Sequence, residues 1–160
     1  MADACPGLVR AIVAVEPNGP PFSSGFHTHK QQPTRMWGLT DVPFTYDPPV
    51  NDPKEFILEK HVSTEEGKLP MILQAEGGGV VVRKWANFKN IPVLVEMGEA
   101  SYHAPFDHCS VAFLRQAGVQ VDFLRLQDKE IYGNGHMQML ELNNMEIAPL
   151  LEEWIRGKVE

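Results

Sequence analysis

Continuous apolar runs bounded by breakers dominate the two ends of the chain. Ala11-Ile12-Val13-Ala14-Val15 lies between Gly7 and the stretch Pro17-Asn18-Gly19-Pro20. It lacks the in/out alternation of a strand with one wet face, so it predicts a parallel strand covered on both sides. Ile91 to Met97, stopped by Gly98, predicts a second strand, and Val121 to Leu126 a third. Between them, Val111, Phe113, Leu114 and Ala117 recur at helical spacing, with Asp107 placed to cap the start and Gly118 the end. The last segment, Asn143 to Arg156, carries Ile147, Leu150, Leu151, Trp154 and Ile155 on one stripe. Asn143 with Glu146 reads as a capping box and Gly157 as a stop. Pro149 fits badly inside such a helix and predicts a kink or a later start.

The order strand, long excursion, strand, helix, strand, helix predicts an α/β fold with a parallel sheet. The excursion, residues 17 to 90, holds most of the prolines and few periodic stretches. Residues 53 to 60 could form a short helix, and Gly77-Gly78-Gly79 is a breaker before Val80. A loop-rich segment of this length between sheet strands is most often a lid or cap over a pocket. No internal repeat is visible.

Composition narrows the function. A chain of 160 residues is long enough for one domain with a sizeable core. Its 14 Lys plus Arg against 21 Asp plus Glu leave a net charge of −7, which disfavours nucleic acid or anionic lipid as partners. No apolar run approaches the roughly 20 residues that span a bilayer. The start, Met1 to Gly7, has neither a basic nor a long apolar stretch, so it does not read as an export signal, and a cytoplasmic location is the default expectation. Cys5 and Cys109 make no disulfide framework.

In an open parallel sheet, reactive groups sit just beyond the carboxyl ends of the strands. Glu16 follows the first strand directly. His136 lies in Gly133-Asn134-Gly135-His136, after the third strand, where two glycines permit a tight turn. A carboxylate facing an imidazole is the acid and base half of a nucleophilic triad, since the acid orients the ring and stabilises the imidazolium. Taken alone, a strand-end carboxylate and a loop histidine also have ordinary structural uses.

Three stretches carry a resemblance: Gly133 to Met137 followed by Asn143-Asn144 and the amphipathic end, Ile91 to Asp107, and Ala11 to Pro17. Together they resemble the C-terminal half of an α/β-hydrolase, in particular the esterase branch with a Glu acid after the sixth strand and the base in a Gly-Asn-x-His loop. The resemblance implies a single partial α/β-hydrolase domain over 1 to 160, with a cap-like excursion at 17 to 90 and a strand-helix-strand-helix unit at 91 to 157. It implies Glu16 as acid, His136 as base, a small-molecule carboxylic ester as substrate, and no metal or organic cofactor. The family's serine elbow should lie shortly before Met1, and no serine here has that pattern: not Ser23, Ser24, Ser63, Ser101 or Ser110. The oxyanion donors belong to the same missing half, so the chain alone is expected to be inactive, unless complemented by a nucleophile-bearing half. A non-catalytic, hydrolase-derived module binding a ligand or protein is the alternative. Losing the neighbouring strand would also expose residues 11 to 15 as an edge and favour self-association. A longer precursor could be secreted.

Other residues compete for these roles. Asp107 is the alternative acid, with Glu99 behind it, because many α/β-hydrolases place the acid after the seventh strand, where Ser101 stands here. His27 and His29 with His103 and His108 could form a metal cluster, although solvated side chains are the ordinary reading. Cys109, inside an amphipathic helix, reads as a small packed residue rather than a thiol nucleophile. Trp37, Phe44, Tyr46 and Trp85 either pack the excursion or line an acyl pocket. Gly77-Gly78-Gly79 has no following Lys-Ser/Thr and is not a phosphate loop.

Overall fold

A computed structural model describes residues 1–23 and 35–159. Three parallel strands form the main sheet in the order β1 (Ile12–Val15), β6 (Val93–Met97) and β7 (Val121–Arg125). Val13 is in register with Leu94, and Val95 with Phe123. All five residues of β6 are buried, as an apolar central strand requires, whereas β1 is half-buried along its length. The faces of the run at 11 to 15 are thus only partly covered, and among the described residues β1 is an edge with β6 on one side, the position expected for it without its neighbouring strand.

Parallel neighbours need a crossover, supplied between β6 and β7 by helix α1 (Asp107–Gln116). Cys109, Val111, Phe113 and Leu114 are its buried face. Asp107 does not cap it. Phe106 holds the N-cap position without a side-chain bond, and the Asp107 carboxylate turns inward instead. The helix ends as expected, with Gly118 at φ +81° and the Val119 amide donating to the Leu114 carbonyl at 2.9 Å.

Helix α2 spans Asn144–Val159 and contains Pro149. It neither starts later than the proline nor stops at Gly157. Pro149 lies close to the helix start, and the carbonyl it leaves without a donor belongs to Met145, an exposed residue that water can reach. The capping box is not made either, because the Asn143 amide exchanges hydrogen bonds with Asn134.

The excursion contributes two small antiparallel sheets among its described residues. β2 (Tyr46–Asp47) pairs with β5 (Lys84–Trp85), and β3 (Leu58–His61) with β4 (Met71–Gln74). The short helix expected at 53 to 60 is a single 3-10 turn, Pro53–Glu55, closed by an Asp52/Glu55 capping box, and the chain then extends into β3. Phe22, Trp37, Tyr46, Phe56 and Trp85 form one hydrophobic core with Val93, Val95 and Phe113, so these aromatics pack the excursion onto β6 and α1. Phe44 stacks on Phe88 at the margin of that core, ring centroids 5.3 Å apart. Ser24, His27 and His29 lie outside the described residues. No described helix is long and apolar enough to cross a membrane.

Candidate active site

The carboxyl ends of the parallel strands converge on one rim, where β1 runs into Glu16 and β6 into Gly98. Glu16 has φ 48°, a left-handed conformation that a side-chain-bearing residue adopts at a cost of about 1–3 kcal/mol. This turn directs the carboxylate inward, where Glu16 is 4% exposed. The Gly98 amide donates to Glu16 Oε1 at 2.7 Å, and the Ser101 hydroxyl donates to Oε2. Carboxyl oxygens so far from water need such partners.

His136 Nδ1 stands 3.5 Å from Glu16 Oε2, although 120 residues separate the two in sequence. Its side chain remains 37% exposed, so the ring has one edge on the buried acid and another toward solvent. The loop that presents it is laced from below. Buried Asn134 donates to Glu141 and to Asn143 Oδ1, the latter at 2.7 Å, and the Gly135 amide donates to Glu141 Oε1 at 2.9 Å. Gly133 turns at φ +78°, as the glycine pair suggested.

A second histidine occupies the same place. The ring of His103 lies parallel to that of His136, centroids 4.7 Å apart and planes 3° apart, with Tyr102 against both. His103 Nδ1 faces Asp107 Oδ1 at 3.4 Å, and both side chains are buried. Asp107 is thus paired with His103, as Glu16 is with His136. Burial pushes the Asp107 carboxyl up, against the pull of His103. Glu99 lies outside this group and accepts the Gly133 amide at 3.2 Å.

Beneath the rim, Glu96 is fully buried and accepts a hydrogen bond from Gln138. Burial, with the Glu16 and Asp107 charges nearby, pushes its carboxyl up to about 7. Cys109 is also fully buried, and its thiol is pushed up to about 12 by burial, which suits a packing role and not a nucleophile. His108 faces the Leu69 carbonyl at 3.0 Å and burial lowers its pKa.

Glu16, His103 and His136 could contribute one ligand atom each to a metal, all within 4.8 Å of one another. Carboxylate and imidazole suit a divalent transition metal. The ring geometry does not favour it: in-plane nitrogen lone pairs of parallel stacked rings lie in planes that do not meet, and both Glu16 oxygens already accept hydrogen bonds.

The residues least legible beforehand are Ser101, His103, Gln138 and Glu141. In the sequence, Ser101 reads only as standing where an acid is often placed, and His103 only as a possible metal ligand with His27, His29 and His108; their place just past the end of β6 was the signal for this site. Gln138 and Glu141 had none, because their partners lie in other turns.

Fold and site together define a mixed α/β protein with a buried carboxylate facing a half-exposed imidazole at the carboxyl rim of a parallel sheet. The chain is 38% identical over 159 residues to a probable secreted lipase, phiG, of a fungal species (strain ATCC 74256). The match covers 98% of this chain and 42% of that protein, so the chain spans less than half of its relative's length. No protein-family model matches the chain, and no solved structure matches it.

Proposed function

We propose that the chain is the acid–base portion of a serine hydrolase with a partial α/β-hydrolase fold, acting on carboxylic esters. The 3.5 Å approach of His136 Nδ1 to the buried Glu16 carboxylate carries the reading. Similarity to a protein described as a lipase supports the substrate class. Residues 1 to 160 form one domain in this reading, with 17 to 90 as its excursion.

In the reaction, His136 takes the proton of a serine hydroxyl as that oxygen attacks the ester carbonyl, while Glu16 stabilises the imidazolium. The proton passes to the departing alcohol, leaving an acyl-serine. Water, deprotonated by the same ring, then releases the acid. The serine and the oxyanion donors come from outside these 160 residues, so the chain alone hydrolyses esters poorly. Each absent donor removes about 3–4 kcal/mol of transition-state stabilisation. No cofactor enters these steps. The similar lipase is described as secreted, and secretion, not a cytoplasmic location, is the fate we propose for this chain.

The test is a chimera in which this chain replaces the aligned segment of that lipase. Hydrolysis of a p-nitrophenyl ester should appear in the chimera, be absent from the isolated chain, and fall on the order of 10⁴-fold in His136→Ala and Glu16→Gln. An active chimera indifferent to both substitutions would remove these residues from the mechanism.

A further inference from the structure

We propose that Ser101 and His103, on the turn that follows β6, are positioning residues for the acid and base, Ser101 holding the carboxylate and His103 the ring. The inference rests on the reading of Glu16 and His136 as an acid–base pair, and extends it to residues that touch neither substrate nor nucleophile.

Glu16 Oε2, the oxygen that faces His136 Nδ1, is the one that accepts the Ser101 hydroxyl, while Oε1 is held by the Gly98 amide. The carboxylate therefore cannot rotate without breaking a bond at one end or the other. The same Ser101 oxygen accepts the His103 amide at 3.0 Å, so the hydroxyl ties the acid to the backbone of the second histidine. His103 then serves the base: its ring lies flat on that of His136, and its own rotation is set from α1 by Asp107. His103 is 2% exposed and Asp107 fully buried, so this support is enclosed, whereas His136 has room to swing into solvent. A flat face behind a half-exposed imidazole restricts it to rotamers that keep Nδ1 on the acid. Unsupported, the ring would exchange this orientation for solvated ones, and the neutral tautomer would revert to the Nε2–H form preferred by a free histidine side chain.

The tautomer is the readout, because it needs neither substrate nor serine. In the full chain labelled with 15N-histidine, at a pH where His136 is neutral, the ring-nitrogen shifts should show Nδ1–H as the majority form. Ser101→Ala and His103→Ala should each convert His136 to a majority of Nε2–H. His103→Phe, which keeps a flat ring and removes both nitrogens, should restore the Nδ1–H form. The signals of His61, on β3, report whether each variant remains folded. Alanine variants that stay folded and retain the wild-type tautomer would overturn the proposal. So would a wild-type chain already dominated by Nε2–H, a measurement independent of any variant's folding. A clamp that behaves as expected beside an inactive chimera would instead count against the hydrolase reading alone.

Discussion

Gly98 presses its α-carbon against the backbone of Asn134: a β-carbon there would stand 2.3 Å from the Asn134 carbonyl oxygen. The strand end that donates to Glu16 and the loop that carries His136 are thus in contact, and the Ala100 amide donates to that same oxygen at 3.0 Å. The obstacle is backbone, so Gly98→Ala must move one loop away from the other. The substitution is expected to cost about 1–3 kcal/mol, as overpacking does, and to separate His136 from Glu16. Urea unfolding measures the first effect and the His136 ring-nitrogen shifts the second.

Glu96 makes stability depend on pH in an unusual direction. Its carboxyl, ordinarily at 4.5, is pushed up to about 7, first by burial and then by the Glu16 and Asp107 charges, against the Gln138 hydrogen bond. Between these values the folded chain keeps a proton that the unfolded chain has released. Folding driven by this group therefore weakens as pH rises across that window and levels off above it. Glu96→Gln should abolish this slope and leave the protein more stable than wild type at pH 8, read from denaturant midpoints across the pH series.

The strands and helices of the main sheet were legible because each is a long apolar or periodic run bounded by Gly or Pro. Their edges were less so. The edge position of β1 was legible, but its half-burial was not, because cover of its two faces comes from elements packed over the sheet that no local pattern reports. α2 ran through Pro149 and Gly157 because an amphipathic stripe outweighs two local breakers. The small strands of the excursion escaped notice, since two- to four-residue pairings draw on distant partners. At the site, Glu16 and His136 could be singled out by strand-end position. The left-handed turn of Glu16 and the stacking of His103 on His136 could not, for both arise from tertiary contacts between loops.

The main core should be most sensitive at Phe113. It is fully buried, with edge-to-face contacts to Phe22 and Trp85 at centroid separations of 5.4 and 5.5 Å. Its ring also fills the space over Gly38, where a β-carbon would lie 2.2 Å from it. Phe113 is therefore the bolt between α1 and the excursion. Phe113→Ala is expected to cost about 3–5 kcal/mol in denaturant unfolding, with the loss of edge-to-face contacts added to the cavity.

The two thiols should separate cleanly by reactivity. Cys5 is exposed, whereas Cys109 is buried and its thiol is pushed up to about 12. Thiolate is the reactive form, so an aromatic disulfide reagent at pH 8 should titrate one thiol in the native chain and both in denaturant. Rapid native reaction of both would show that α1 opens readily.

Association of the isolated chain should run through β1. Its outer side carries no strand among the described residues, so its backbone groups offer a template for another chain. Beside it lies an apolar cavity of about 320 Å³ lined by Val15, Met139, Met145, Ile147 and Leu151, with Met139 and Met145 exposed. An open parallel edge next to an apolar hollow favours self-pairing over solvation, even at a net charge of −7. Sedimentation should therefore show mass increasing with concentration. Val13→Lys places a charge in the middle of the edge and should shift the population toward monomer, whereas a lysine at exposed Val62, on the excursion, should leave it unchanged. Equal effects of the two lysines would assign the association to net charge and not to the strand.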